Sequence, residues 1–571
     1  MGIAKKDRTF FSYPRYENIK DLMLGTVNKY EDHTAFVIKN NKDKDNVTYT
    51  EITFKKLLED IYNFGTALFN LGLKGKRIAV ISKNRYEWAL TYLTNMFGGC
   101  VLVPLDRGLP FDELESCVIR SKADAIVFED SLIEIIEKIR ENGKTELKEY
   151  ISMDESKEFK TISSLIEKGE SLREEGKDSF ENVEIDDNAL CELTFTSGTS
   201  SDSKIVMLSQ RNIAMDVSVM QRVEDFRDTD TNLALLPYHH VLGSTSIVFI
   251  LSYGARTAFP DGLRYIQANM KEYGVSVFIG VPLLIESMYK KVHKELEKKK
   301  MVGKVKALRK ITNICPKLKR KVFKSVIDAF GGKLRLIISG AAALDPEVWE
   351  AFNEMGIIIR QGYGLSECAP VVSGENYKYD RKGSVGFAMP EVEVKVFDKD
   401  EQGIGEFGVK GPIVMLGYYD NDEANKEAFR DGYFMTGDVG YIDPDGFLFI
   451  TGRKKSVIVL KNGKNVFPEE IEALINKLDV VKECMVYGLP KDDDILLSVK
   501  VQLDKEYIEE NYKDKTDEEI EEIVWNEIKL INKTMPTYKY IKNMDITKDD
   551  FIKTTTAKIK RYKEMEKMNL K

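Results

Sequence analysis

The run Phe195-Thr196-Ser197-Gly198-Thr199-Ser200-Ser201-Asp202-Ser203-Lys204 places six serine and threonine hydroxyls, one glycine and one lysine between two apolar segments. A loop of this kind, hung between two strands, can aim backbone N–H groups and hydroxyls at phosphate oxygens while the lysine adds a mobile charge. A solvated serine turn has the same composition, so the loop alone leaves both readings open. It is not a Walker A loop, because Ser203 stands where a glycine precedes the lysine and no helix start follows.

Other stretches carry groups that can meet the rest of a nucleotide. In Gln361-Gly362-Tyr363-Gly364-Leu365-Ser366-Glu367 the glycines let a flat group lie on the backbone. Tyr363 offers a stacking face there, and Glu367 a hard oxygen ligand for Mg²⁺. The apolar run from Leu334 ends in Ser339-Gly340-Ala341-Ala342-Ala343, where small side chains allow close approach. Asp438, in Thr436-Gly437-Asp438, can accept both ribose hydroxyl protons. His239 and His240 follow a Pro-bounded strand end, where a histidine is more often structural than catalytic. Lys558 lies near the C-terminus, and position alone makes it a solvated cation.

In order and spacing these stretches resemble the signatures of the acyl-adenylate-forming (AMP-binding) enzyme superfamily, which includes acyl-CoA synthetases, peptide-synthetase adenylation domains and luciferases. The likeness is greatest to the long-chain fatty acyl-CoA synthetases. That family's phosphate loop usually reads Thr-Ser-Gly-Thr-Thr-Gly-x-Pro-Lys-Gly. Here Thr196 to Thr199 and Lys204 match, whereas Ser201, Ser203 and Ile205 replace glycine, proline and glycine. Should Ser201 adopt a positive φ, the strain costs roughly 1 kcal/mol. The C-terminal signature Pro-x-Thr-x-x-Gly-Lys-Ile-x-Arg keeps Lys558 and Arg561 and departs at Ile552 and Ala557.

The resemblance implies a fatty-acid-activating ligase, AMP-forming, that uses ATP, Mg²⁺ and coenzyme A on a medium- or long-chain acid. It assigns catalytic roles to Lys558, His240, Glu367 and Thr196, with His240 positioning the acyl carboxylate. Thr196, Ser197, Gly198, Thr199, Ser200 and Lys204 fall to the phosphates, and Thr196 with Glu367 to the metal. Ala341, Gln361, Gly362, Tyr363, Gly364 and Ser366 border the nucleoside, Asp438 and Arg453 take the ribose, and Lys455 marks the turning point of a mobile lobe. Lys558 enters the nucleotide site from that lobe. Two alternatives stay open: an acyl-carrier protein as acceptor, or a non-catalytic acyl- or nucleotide-binding sensor.

These groups need a scaffold. The chain has 571 residues, more than one core can serve, and suggests roughly two to four units. With 43% hydrophobic and 31% charged residues it reads as a soluble globular protein. Its net charge of −8 argues against nucleic acid as a partner. Helical spacing in Thr53–Leu71, Tyr86–Phe97 and Phe111–Ser121 alternates with strands at 76–82, 100–105 and 123–128, which predicts parallel βαβ units. The expected fold is α/β: a large N-terminal domain (1–452) of βαβ layers with a β-barrel-like subdomain, then a small mobile α+β domain (453–571).

The segment 290–333 is densely basic, with interleaved apolar residues. It reads either as a solvated helical face or oligomer contact, including a homodimer, or as a peripheral membrane surface. The six cysteines are widely spaced, without any Cys-x-x-Cys pair, and are expected as reduced core thiols. The first residues resemble neither a signal core nor a myristoylation site, since Lys6 stands where Ser or Thr is required. The expected location is cytoplasmic, at most peripheral to the inner face of a membrane.

Overall fold

The computed structural model describes residues 8–40, 47–196, 203–298, 303, 308, 318–461, 464–491, 494–553 and 558–570. Ser197, Gly198, Thr199, Ser200 and Ser201 of the hydroxyl-rich loop lie outside the described residues, as do Ala557 and most of the basic segment between 299 and 317.

Two large sheets dominate the N-terminal part. The eight-stranded sheet contains the expected parallel set: Arg77–Ile81 pairs with Val101–Pro104 on one side and Ala125–Phe128 on the other, with Glu149–Ser152 beyond. The nine-stranded sheet runs through Val277–Gly280, Leu336–Ser339 and Ile358–Gly364, also in parallel. Period-two alternation along each strand sends neighbours to opposite faces. Thus Ile78 and Val80 enter the central core while Ala79 and Ile81 enter an outer one. Likewise Val277 and Ile279 face the centre and Phe278 faces away.

The central layer is helical. Tyr86–Gly98 and Val241–Leu251 are buried on nearly every face, as expected of helices enclosed by sheets on both sides. Helices Phe111–Ser121 and Ile133–Asn142 cover the outside of the first sheet. Ile266–Tyr273 and Pro346–Met355 cover the outside of the second. The stretch expected as barrel-like is a five-stranded antiparallel sheet in which Gly405–Lys410, Phe429–Arg430 and Leu448–Arg453 all pair with Tyr433–Ile442.

The C-terminal part has its own core. A three-stranded sheet (Val481–Lys491, Asp494–Leu503, Asn543–Thr547) packs against helices Pro468–Ile475 and Asp517–Asn532. Pro468 at the first helical position and Glu469 and Glu470 in the first turn suit the helix's positive end. Asp517–Asn532 begins with a capping box on Thr516 and Glu519.

In the described part of the basic segment, cations hold backbone carbonyls. Arg320 donates to the carbonyls of Leu334 and Gly356, and Lys319 to that of Asn353, at the carbonyl end of Pro346–Met355. Part of that charge therefore caps a helix, as cations at a C-terminus do. Cys100, Cys117, Cys191, Cys368 and Cys484 are free and buried. Among the described residues no helix is long and apolar enough to cross a membrane.

Candidate active site

The hydroxyl-rich loop joins the antiparallel strands Leu190–Phe195 and Ile205–Ser209, whose last rung is Phe195 opposite Ile205. One more rung lies beyond it: the Thr196 N–H and hydroxyl both donate to the Lys204 carbonyl, at 2.9 and 3.2 Å. The loop is thus closed at its root by the residues expected to bind phosphate and metal. Arg120 steadies its exit by donating to the hydroxyl and carbonyl of Ser203. Lys204 Nζ lies 4.4 Å from the centre of the Tyr418 ring, and the Tyr418 hydroxyl donates to Glu367 Oε1 at 2.9 Å. Tyr418 therefore joins the loop lysine to the carboxylate.

Glu367 lies in a short 3₁₀ turn, Ser366–Cys368, just past Ile358–Gly364. Its carbonyl accepts the Met415 N–H, which ties the turn to the strand Gly417–Tyr418. That tight passage needs glycine: a Cβ on Gly364 would lie 1.8 Å from the Pro370 carbonyl oxygen. Burial raises the Glu367 carboxyl above its usual range, opposed by the Tyr418 hydrogen bond and by Arg453. A carboxylate held in a desolvated wall favours a cation beside it. Among the described residues no cluster of three or more His, Cys, Asp or Glu side chains could hold a metal alone. Glu367 and the Thr196 hydroxyl oxygen fit Mg²⁺, which keeps water and substrate phosphates as its other ligands.

His240 caps the N-terminus of Val241–Leu251 with its backbone, its carbonyl accepting from Gly243 and Ser244. Gly243 permits this, since a Cβ there would lie 2.0 Å from the Pro237 carbonyl oxygen. The His240 Nε2 is buried and has no hydrogen-bond partner among the described residues. Burial, then the neighbouring His239, pushes its pKa down to about 3, so the ring is neutral across the working range. His239 lies 3.4 Å from Asp106 and packs against the His240 ring.

Asp438 and Arg453 are direct partners across Tyr433–Ile442 and Leu448–Arg453. Tyr363 is buried and donates its hydroxyl to Asp438 Oδ2 at 2.7 Å. Glu406, which sequence reasoning passed over, accepts from the Gly437 N–H and from Lys454 and so braces the Asp438 loop. Gln361 is held by the Ser384 carbonyl and the Leu344 N–H. Ala341 takes a left-handed φ of 72°, a conformation its methyl tolerates only with strain.

One cavity of about 1150 Å³ brings these groups together. Its walls include Thr196, Lys204, His240, Ala341, Gln361, Gly362, Tyr363, Gly364, Ser366, Glu367, Arg453, Lys455 and Lys558. Asp438 is buried just behind, beneath Tyr363 and Arg453. Lys558 comes from the C-terminal part, which also lines the cavity with Pro468, Met485, Tyr487 and Arg561. Burial and the charge of Arg453 hold its ammonium below the usual lysine range, with Asp438 opposing.

A family model described as AMP-binding enzyme matches residues 25–419, and one described as AMP-binding enzyme C-terminal domain matches residues 455–569. Similar curated proteins include fatty acyl-CoA synthetase B of Dictyostelium discoideum, 29% identical over 82% of this chain and 74% of the relative. They also include the chloroplastic long-chain-fatty-acid–[acyl-carrier-protein] ligase AEE15 of Arabidopsis thaliana, 26% identical over 83% of this chain and 75% of the relative. Among solved structures, the anthranilate CoA ligase AuaEII in complex with anthranoyl-AMP superposes with a TM-score of 0.76 at 20% identity, covering 97% of this chain and 98% of that one. The match over most of its length shows that this chain belongs to the AMP-binding enzyme family.

Proposed function

We propose that the protein is an ATP-dependent, AMP-forming fatty acid ligase that makes an acyl-adenylate and then a thioester with coenzyme A. The observation that carries this reading is the single cavity in which Lys558, Glu367, His240 and the Thr196–Lys204 root meet beside apolar walls from two buried helices. In the first step a carboxylate oxygen bonds to the α-phosphorus of ATP and the bond to the β-phosphate bridge breaks, releasing pyrophosphate. Lys558 faces the oxygens where negative charge accumulates, while Lys204 and the loop hold the leaving group. The metal, when bound, offsets phosphate charge, and Glu367 with Thr196 would hold it. His240, neutral and unpaired at Nε2, orients the acid through a hydrogen bond. In the second step the coenzyme A thiolate bonds to the acyl carbon and AMP leaves.

The boundary between lobes falls near Lys455, just after the last strand residue, Arg453, and a turn of the smaller lobe there would exchange Lys558 for thiol-binding groups. A peripheral membrane contact through the basic 290–333 segment, a homodimer and a cytoplasmic location extend the same reading. The relative named as an acyl-carrier-protein ligase supports a second acceptor, a carrier's phosphopantetheine thiol. Fatty-acid-dependent exchange of labelled pyrophosphate into ATP tests the first step. Product formation with coenzyme A against carrier protein decides the acceptor. Absence of exchange with every acid tried would overturn the reading.

A further inference from the structure

The main cavity has an apolar arm walled by Met220, Phe226, Leu242 and Phe249. Two further features bound the same cavity. One is Arg360, buried and ion-paired with Glu224 at 2.9 Å, and bonded also to Asp380 and the Tyr377 carbonyl. An alkyl chain cannot part that pair without stranding buried charge. The other is a thin wall. Val223, Gly374 and Met389 line both this cavity and a separate one of about 470 Å³.

Gly374 contributes no side chain to the wall, and the terminal methyl of Met389 covers it: a Cβ at 374 would lie 2.8 Å from Met389 Cε. The Met389 backbone is fixed, its N–H donating to the Val372 carbonyl, while its side chain is unbranched and turns readily. Beyond the wall the second cavity is floored by Phe387, Ala388 and Val392. Of its charged groups, Glu391 is held by Arg15 and Arg222, and Glu393 accepts from the Tyr433 hydroxyl. Arg8 lies over the Phe387 ring and donates to the Asp445 carbonyl, so an entering chain meets apolar atoms and partnered polar groups.

We propose that Met389 is the length gate of the acyl site: turned off Gly374, it joins the two cavities and admits the methyl end of an acid too long for the first. This rests on the fatty-acid reading above. The test compares kcat/KM for octanoic, lauric, palmitic and stearic acids in the wild type and in Met389→Ala, Met389→Phe and Met389→Leu, with melting temperatures to monitor folding. Relative to octanoic acid, stearic acid gains roughly tenfold in the Ala variant and loses roughly tenfold in the Phe variant, on the scale of pocket discrimination. Leu, of similar volume, keeps the wild-type ratio. A ratio unchanged in both Ala and Phe variants, or an equal loss at every length, would overturn the gate. Calorimetric binding of the same acids needs no turnover. A Phe variant that loses stearic but not octanoic acid binding supports the gate even if no ligase activity is found, and equal binding of both acids by wild type and Phe variant sinks it alone.

Discussion

Arg453 Nε lies 2.9 Å from Asp438 Oδ1 in an ion pair, and the two residues face each other as a rung of antiparallel sheet. Asp438 is buried, whereas the Arg453 side chain is half exposed to the cavity, so the arginine is the partner that can yield to a ribose. Tyr363 fills one site on the second carboxylate oxygen, and roughly two of the carboxylate's four lone-pair positions remain for hydroxyl donors. Asp438→Asn should raise the KM for ATP roughly 10- to 100-fold, the worth of charge-assisted hydrogen bonds. The ATP dependence of pyrophosphate exchange measures it, and an unchanged KM would remove Asp438 from the ribose site.

Lys558 enters the same cavity from the smaller C-terminal part, and under the proposed function it is needed only while charge builds on the α-phosphate. Lys558→Ala should slow adenylation on the order of 10²–10³-fold, as loss of one preorganised donor does. Thioester formation from supplied acyl-AMP should persist. The ammonium is the working form, and burial with Arg453 depresses its pKa. Adenylation by the free enzyme should therefore decline, as pH rises, at a midpoint below the ordinary lysine range. Lys558→Arg should move that decline upward, which a pH series of kcat/KM reads directly.

Tyr418 touches the residues proposed for phosphate and metal, its ring beneath Lys204 and its hydroxyl on Glu367. Tyr418→Phe keeps the ring and deletes the bond that aims the carboxylate. A residue that orients a metal ligand typically contributes about 10- to 100-fold in metal affinity or activity. The Mg²⁺ concentration for half-maximal exchange should rise by about that factor, while the KM for the acid stays near its wild-type value. Equal Mg²⁺ dependence in the two proteins would reduce Tyr418 to packing.

Local patterns carried much of this molecule. Helical spacing over Thr53–Leu71, Tyr86–Phe97 and Phe111–Ser121 marks the helices found at Phe54–Asn70, Tyr86–Gly98 and Phe111–Ser121, and the hydroxyl-rich run shows itself as a connection between two strands. Tyr418 carries no motif of its own, because its role depends on Gly417–Tyr418 pairing with Ile205–Ser209, some two hundred residues earlier. Such pairing is set by the packing of whole layers and leaves no periodic trace. For the same reason Thr34–Asn40 and its hairpin partner Thr48–Thr53, early in the chain, join the second large sheet through Arg256–Ala258 and not the sheet of the strands that follow them, Arg77–Ile81 and Val101–Pro104. Glu406 was hidden because an acid in a charged β-stretch looks solvated until its partners, Gly437 and Lys454, are seen.

His240 links the site to acid sensitivity. Its pKa is lowered in the folded protein to about 3, against an ordinary value of 6.5, because burial disfavours the imidazolium and His239 adds to the penalty. Between those limits the unfolded chain binds a proton at this site that the folded chain refuses, so stability falls as pH drops below 6.5 and levels off near 3. A single such group contributes about 1.4 kcal/mol per pH unit at most. His239 is depressed in the same direction, so the two rings share the effect. His240→Gln keeps a hydrogen-bond donor without a titrating ring. Urea unfolding across this range should show a shallower loss of stability with acid in the variant than in the wild type. Parallel pH profiles would mean that the ring is protonated in the fold after all, and with it would go the neutral donor that holds the acyl group.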